Sequence, residues 1–240
     1  MANSIKTLDG KVWEKKEILK LMEDDVFYYE YLGQHALSSS AIKQMLKAGT
    51  WDYKPVEETA ALRDGRLSHI LTLEPHRLKE ITIVGGSKAS RLYKDLKSLG
   101  SIVQNLYTLS EFNRCSKWAE AVNQDFEAFD YLHNSLKEVP EIKLIDGIPV
   151  RGKADILRPG EFIADFKTTR DIYNTDATID AFGYDVQGAL YRTLFDVDRF
   201  VIIWLDKNTL EVKCEDVPTR KLDEGRRKYL KAINLYKKQL

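Results

Sequence analysis

The stretch "VRGKADILRPGEFIADFKTT", residues 150–169, decides the fold, because it contains two strand-like apolar runs separated by a Pro-Gly turn. Residues two apart on a strand share a face, so Asp165 and Lys167 point the same way. A hairpin at this turn brings Asp155 close to Asp165. The pattern D-x9-D-x-K therefore predicts two carboxylates and one ammonium at one end of two adjacent strands.

These charges suit a metal site. Two nearby carboxylates repel each other unless a positive group lies between them. Hard divalent cations prefer oxygen ligands, so Asp155, Asp165 and the backbone carbonyl of Phe166 suit Mg²⁺, with Mn²⁺ as a substitute. Lys167 beside the metal would orient an attacking water or stabilise the charge on a phosphate oxygen. The chemistry that this set favours is phosphodiester hydrolysis.

An exposed edge strand with a surface salt bridge is the alternative interpretation of the same charges. The D-x-K spacing alone does not distinguish the two. Apolar neighbours argue against a solvated edge: Ile156, Leu157, Phe162, Ile163 and Phe166. On these residues alone, both interpretations stay open.

Length and composition limit what the charges belong to. The chain has 240 residues and 43% hydrophobic content, which predicts one elaborated domain over 1–240. Lys and Arg total 37, as do Asp and Glu, so no global positive field exists to attract nucleic acid or an anionic membrane. Any anionic partner must be met by a local patch.

The cysteines and the N-terminal sequence indicate a reduced, cytoplasmic protein. Cys115 and Cys214 are far apart, form no C-x-x-C pair and are too few for a structural zinc site. The first 20 residues carry charges throughout, and no run approaches the ~20 apolar residues that a spanning helix needs. We therefore expect neither secretion nor membrane insertion.

The first third of the sequence, residues 1–80, reads as helical. Helical patterns cover 15–32, 37–49 and 59–75, the second opening with serines suited to an N-cap and closing at a glycine. The third pattern has Leu62, Ile70 and Leu73 on its apolar face, and His69 falls among them. A loop with a short helix in its middle follows over 84–101, and then a long helix or helix pair over 109–136.

The sequence pattern changes from helical to strand-like after residue 140. Residues 141–169 alternate and break at an Asp-Gly and a Pro-Gly dipeptide, which predicts three consecutive antiparallel strands. A helix is predicted over 178–196, then a buried strand with a hairpin partner, and a basic closing helix over 219–240. The prediction is an α/β domain whose central mixed sheet, the core over 140–206, is flanked by helices.

Five segments in this order resemble one family: "LSSSAIKQML", "RDGRLSHILTLEP", "PEIKLIDGIPVRGKADIL", "FIADFKTT" and "YDVQGALYR". The combination resembles the PD-(D/E)-x-K nuclease superfamily, and within it the RecE-like exodeoxyribonucleases (exodeoxyribonuclease VIII type) with a RecB-like catalytic core. The resemblance implies a restriction-endonuclease-like core with a helical N-terminal region. Three departures are Asp165 where many members have Glu, the absence of four iron–sulfur cysteines, and the absence of a P-loop.

The resemblance assigns roles to single residues. It implies that His69, Asp155 and Asp165 bind the metal and that Lys167 is the catalytic lysine. The alternative is that His69 is a satisfied core residue on the apolar face of its helix.

The resemblance further implies that Glu141 is an auxiliary acid before the first core strand. Gln187 and Tyr191 form a Q-x-x-x-Y motif on one helical face, expected to contact the scissile strand or to support Lys167. A solvated Glu141 and a Tyr191 that only packs are the alternatives.

The function implied by the resemblance is a Mg²⁺-dependent 5′-to-3′ exonuclease. It would act on ends of linear double-stranded DNA and leave 3′ overhangs for recombination with a single-strand annealing protein. Family members form tetrameric rings, which predicts a homo-oligomer, in the cytoplasm of a bacterium or phage-infected cell. The alternatives are a structure-specific or single-strand-end nuclease on the same fold, and a non-catalytic DNA-binding module.

Two basic sets are candidates for DNA contact, although such charge runs are usually solvated faces. They are the loop residues Lys88, Arg91, Lys94 and Lys97, and the last-helix residues Arg226, Arg227, Lys228 and Lys231.

Overall fold

The structure is a computed structural model that describes residues 4–54, 58–100 and 105–239. Its strands are β1 (Ser4–Lys6), β2 (Val12–Glu14), β3 (Thr82–Val84), β4 (Leu106–Thr108), β5 (Leu136–Ile145), β6 (Ile148–Arg158), β7 (Phe162–Thr169), β8 (Arg199–Asp206) and β9 (Val212–Asp216). Its helices are α1 (Lys15–Leu21), α2 (Leu32–His35), α3 (Ser39–Ala48), α4 (Ala60–Leu73), α5 (Arg91–Ser98), α6 (Leu109–Gln124), α7 (Phe126–Leu132), α8 (Thr175–Phe182), α9 (Tyr184–Phe195) and α10 (Thr219–Lys237).

The central sheet has five strands in the order β5-β6-β7-β8-β9. The first three form an antiparallel meander, turning at the Asp-Gly and Pro-Gly dipeptides as predicted. The chain then crosses over through α8 and α9, so β8 pairs parallel with β7, and β9 pairs antiparallel with β8. The predicted mixed sheet flanked by helices is confirmed.

Both faces of the sheet are covered by helices. One face packs against α3, α9 and α10, with Trp204 of β8 buried among Leu190 and Tyr229. The other face packs against α4, α6 and α7, with Ile203 of β8 in contact with the cluster around Trp118. Strand β8 is therefore buried on both sides, which explains its continuous apolar run.

The N-terminal third differs from the predicted set of helices. Strands β1 and β2 form a short antiparallel hairpin before α1. The predicted helix over 15–32 breaks after Leu21, because the Asp24 carboxylate accepts a hydrogen bond (2.8 Å) from the backbone N–H of Phe27 and starts a π-helical turn, Phe27–Tyr31. Leu62, predicted on the apolar face of α4, is 46% exposed.

Two further elements differ from the sequence interpretation. The helix predicted over 178–196 is divided at Gly183, whose φ of +63° ends α8 and precedes α9. The parallel pair β3–β4 was not predicted. Both cysteines are free thiols, as expected. Among the described residues, no helix is long and apolar enough to cross a membrane.

Candidate active site

Asp155 lies where strands β6 and β7 separate. The pairing of β6 with β7 ends at Ile156 and Ala164. The next N–H on this edge, that of Phe166, donates instead to Oδ2 of Asp155 at 2.9 Å. Burial raises the pKa of Asp155, and the nearby His69 and Lys167 oppose this rise. The carboxylate of Asp155 is thus buried and fixed where β6 and β7 separate, close to the backbone of Phe166.

His69 reaches the same place from α4. Its Nε2 lies 3.1 Å from the carbonyl oxygen of Phe166 and 3.6 Å from Oδ2 of Asp155. Its Nδ1 lies 3.7 Å from Oε1 of Glu138. Burial alone would lower the pKa of His69, but the carboxylates of Asp155 and Glu138 raise it to about 9. The imidazole is therefore held between two acids.

Glu138 was not singled out from the sequence. The β5–β6 register pairs Leu136 with Leu157 and Val139 with Ala154, so Glu138 lies opposite Asp155. Its φ is +50°, a left-handed conformation that is uncommon for a non-glycine residue and unexpected inside a strand. Its Oε1 is buried without a hydrogen-bond partner among the described residues. Such an orphaned oxygen is costly unless another group satisfies it.

His69, Glu138 and Asp155 form what we name the acid cluster. Each offers one ligand atom, and these atoms lie within 4.8 Å of one another. The donors are one imidazole nitrogen and carboxylate oxygens, which suit a divalent cation. The unsatisfied Oε1 of Glu138 and the strained backbone beside it fit a metal ligand better than a structural ion pair.

Asp165 and Lys167 lie beside the acid cluster as an ion pair. Asp165 is 1% exposed, and its Oδ2 is 2.5 Å from Nζ of Lys167. The Gln187 side-chain amide donates to Oδ1 of Asp165 at 2.7 Å. Burial raises the pKa of Asp165 to about 6 against the effect of Lys167. Burial opposes the charge of Lys167, but Asp165 and Asp155 raise its pKa overall.

The remaining predicted residues lie in different places. Phe166 contributes its backbone N–H to Asp155 and its carbonyl to His69. Tyr191 packs in the core, where its ring leaves no room for a β-carbon on Gly152 (2.8 Å). Burial, with smaller effects of nearby groups including Asp165, raises the pKa of the Tyr191 hydroxyl well above 10.

The structure does not bring Glu141 into the acid cluster. Its carboxylate accepts hydrogen bonds from Nζ of Lys15 and, at 2.7 Å, from the backbone N–H of Ile142. It lies opposite Gly152 on β6, three residues beyond Glu138. Strand β5 begins at Leu136, five residues earlier than predicted, so the acid that faces Asp155 comes earlier in the chain.

Ion pairs within the molecule engage several of the predicted DNA contacts. Lys88 lies 2.6 Å from Glu111, and Lys228 lies 2.7 Å from Asp185. Arg91 is 3.6 Å from Asp95 on the same helix. The contribution of either basic set to DNA binding stays a prediction.

A comparison with family models matches residues 26–239 to the PDDEXK-like domain of unknown function (DUF3799). The chain belongs to this family. The matched range includes the acid cluster, Asp165, Lys167 and Gln187. The predicted PD-(D/E)-x-K fold is thereby confirmed, and the chain has a nuclease-like core.

Comparison with solved structures finds a chain that shares this fold at low sequence identity. A candidate exonuclease from Eubacterium rectale is 18% identical, with a TM-score of 0.64 over 90% of this chain and 86% of that chain. A phage-related exonuclease from Haemophilus somnus 129PT is 14% identical, with a TM-score of 0.40 over 88% and 86% of the two chains. None of the curated proteins compared matches the sequence.

Proposed function

We propose that the protein is a Mg²⁺-dependent deoxyribonuclease, a RecE-type exonuclease that degrades linear double-stranded DNA from 5′ ends. The observation that carries the proposal is the convergence of the acid cluster with the Lys167–Asp165 pair where β6 and β7 separate. The family match, to a PDDEXK-like domain, supports the nuclease part of the proposal.

His69, Glu138 and Asp155 would hold the metal, with Asp165 and the Phe166 carbonyl beside them. A bound divalent cation would supply Lewis-acid stabilisation of the phosphate and lower the pKa of an attacking water. The buried Oε1 of Glu138, which has no hydrogen-bond partner among the described residues, supports this assignment. Mn²⁺ would substitute for Mg²⁺, since both prefer oxygen ligands.

Lys167 would act on the attacking water or on the phosphate oxygen that gains charge. Its side chain is not fully enclosed, and its ammonium is already paired with buried Asp165. Gln187 would orient Asp165 by its hydrogen bond, so that Lys167 stays directed toward the acid cluster. Preorganised charges of this kind stabilise a transition state without reorganisation at the moment of reaction.

The finer parts of the proposal rest on the resemblance of the sequence motifs to RecE-like enzymes. They include the 5′-to-3′ polarity, the 3′ overhang, the annealing-protein partner and the tetrameric ring. A ring is consistent with a net charge of zero, because several subunits can turn basic faces into one channel. A cytoplasmic location belongs to the same proposal.

Linear duplexes blocked at the 5′ ends or at the 3′ ends, compared with a closed circle, test the function. We expect Mg²⁺-dependent loss of nucleotides from free 5′ ends, protection by 5′ blocks and no attack on the circle. Asp155→Asn is the inactive control. Rapid cutting of closed circles, or cleavage that continues without a divalent metal, would contradict the proposal. Light scattering checks the expected oligomer.

A further inference from the structure

Two ammonium groups face the same aromatic ring beside the site. Nζ of Lys167 lies 5.5 Å from the centroid of the Tyr184 ring, and Nζ of Lys43 lies 5.7 Å from it. Lys167 belongs to β7 and Lys43 to α3, so the fold brings together two cations from distant parts of the sequence. The two ammonium groups repel each other, so an anion close to both of them would stabilise the arrangement.

Lys167 has its anion, but Lys43 does not. Within the described part of the chain, no carboxylate lies within ion-pair distance of Lys43, and its ammonium donates to the carbonyl oxygen of Phe182 at 3.1 Å. The nearby Asp165 is already engaged by Gln187 and Lys167. Burial, followed by the charge of Lys167, lowers the pKa of Lys43 to about 8. Asp165 and Asp185 favour the charged form of Lys43 from a distance, but among the described residues its ammonium has no ion-pair partner and lies near a second positive charge.

The position of Lys43 is built into the fold. Gly183 has a φ of +63°, and a β-carbon there would come within 2.8 Å of Cδ of Lys43. The alkyl chain of Lys43 therefore occupies the space that a side chain at position 183 would need. Next to it, the Phe182 ring stacks on Tyr184 (5.9 Å between centroids, 18° between planes) and is 60% exposed.

We propose that Lys43 binds a backbone phosphate of the nucleic acid strand in the site, a phosphate separate from the one at the acid cluster. The inference rests on the proposed function, because it takes the substrate to be a nucleic acid. A phosphodiester is the anion that a charge-assisted hydrogen bond from Lys43 would satisfy. The exposed Phe182 ring beside it offers an apolar face of the kind on which bases stack.

The test measures binding, so that it does not depend on cleavage. The probes are fluorescent duplex oligonucleotides in which one phosphate at a time, counted from the 5′ end, is replaced by an uncharged methylphosphonate. Anisotropy is measured in Ca²⁺ and in EDTA for the wild type, Lys43→Ala, Lys43→Arg and Lys47→Ala. Lys47 lies one turn further along α3 and is exposed, which makes it a matched control. Thermal unfolding checks that each variant is folded.

We expect Lys43→Ala to weaken binding about tenfold and to reduce the salt slope by about one phosphate. At one position, replacing the phosphate with a methylphosphonate should weaken binding by the wild type. The same replacement should leave the affinity of Lys43→Ala unchanged. Lys43→Arg should behave as the wild type there, and Lys47→Ala should keep the wild-type pattern. Kinetically, Lys43→Ala should raise KM more than it lowers kcat.

The inference is overturned if Lys43→Ala and the wild type respond alike to every methylphosphonate, or if the wild type binds none of the probes in either buffer. The proposed function fails on a different result, the absence of Mg²⁺- or Mn²⁺-dependent cleavage by the wild type. A wild type that binds but does not cleave, with a Lys43-dependent phosphate position, would support the inference and contradict the nuclease.

Discussion

Two carboxylates in the molecule, Glu111 and Glu138, have oxygens buried by the fold but satisfied to different degrees. The Glu111 carboxylate accepts hydrogen bonds from the backbone N–H of Thr108 (2.9 Å) and from the Thr108 hydroxyl (3.0 Å). It also forms ion pairs with Lys88 and Arg63. Burial raises the pKa of Glu111, but these partners lower it to about 2. The Glu138 carboxylate keeps one buried oxygen without a hydrogen-bond partner among the described residues, with only the His69 imidazole at 3.7 Å.

The difference separates a structural carboxylate from one kept for a ligand. At Glu111 the neighbours stabilise the charged form, as a capping box and ion pairs do. At Glu138 one oxygen instead has no hydrogen-bond partner among the described residues, and the backbone is strained. Burial raises the pKa of the nearby Asp155 and Asp165. Groups perturbed in this direction cluster at functional sites.

The largest expected effect is that of Asp165→Ala on cleavage. The substitution removes the group that orients Lys167, so we expect activity to fall by roughly 10³-fold or more while the fold stays intact. Without added metal, thermal stability should fall, because Lys167 loses its ion-pair partner and Gln187 loses its acceptor. Nuclease rates and thermal unfolding in EDTA measure both. A variant that cuts DNA at the wild-type rate would remove Asp165 from the site.

Lys167→Ala should lower the rate by roughly 10²-fold or more while metal binding is kept. The acid cluster is unchanged in this variant, so Mg²⁺ or Mn²⁺ should still raise its unfolding temperature. If Lys167 were only half of a structural ion pair, the variant would lose stability and keep its rate. Parallel measurement of rate and metal-induced stabilisation distinguishes these outcomes.

Glu138→Gln and Glu141→Gln are a matched pair on one strand. Glu138 belongs to the acid cluster, so its substitution should weaken metal binding by about tenfold to a hundredfold and slow cleavage at low metal concentration. Glu141 is paired with Lys15, so Glu141→Gln should cost stability of at most about 1 kcal/mol and leave the metal dependence unchanged. Metal titrations of the rate compare them. If Glu141→Gln weakened the metal dependence more than Glu138→Gln, Glu141 would be the auxiliary acid after all.

Glu111 should affect stability alone. An acid with a lowered folded pKa contributes stability that is complete above its unfolded pKa, near 4.5, and lost as pH falls toward 2. From this group we expect the free energy of unfolding to fall by up to about 3 kcal/mol between pH 5 and pH 2. Urea denaturation of wild type and Glu111→Gln at several pH values measures it. A variant with the wild-type pH slope would contradict the contrast with Glu138.

Much of the sheet was predictable because its signals are local. The Asp-Gly and Pro-Gly turns delimit β5, β6 and β7, and the apolar run of β8 needs two covered faces. The acids and the lysine of the D-x9-D-x-K pattern follow from that meander. Strands β1, β2, β3 and β4 have three residues each, too few for a periodic pattern, and were missed.

The missed features depend on contacts that are distant in the sequence. The break at Gly183 accommodates the Lys43 side chain, which reaches it from α3. The position of Glu138 could have been predicted from the sequence. The hairpin pairs Ile145 with Ile148, and counting back along both strands places Glu138 opposite Asp155. Its positive φ and its unpaired oxygen carry no sequence signal, since glutamate in a strand-like run predicts neither.

Metal-induced thermal stabilisation of the wild type and Asp155→Asn tests the central claim most directly, namely that the acid cluster holds a divalent cation. Asn keeps the shape of the side chain, and its amide oxygen can still accept from the Phe166 N–H, so the contact between β6 and β7 stays in place. We predict that Mg²⁺ or Mn²⁺ raises the unfolding temperature of the wild type and of Glu141→Gln. Asp155→Asn should lose this shift together with cleavage. An Asp155→Asn protein that keeps the full shift and the wild-type rate would contradict the account.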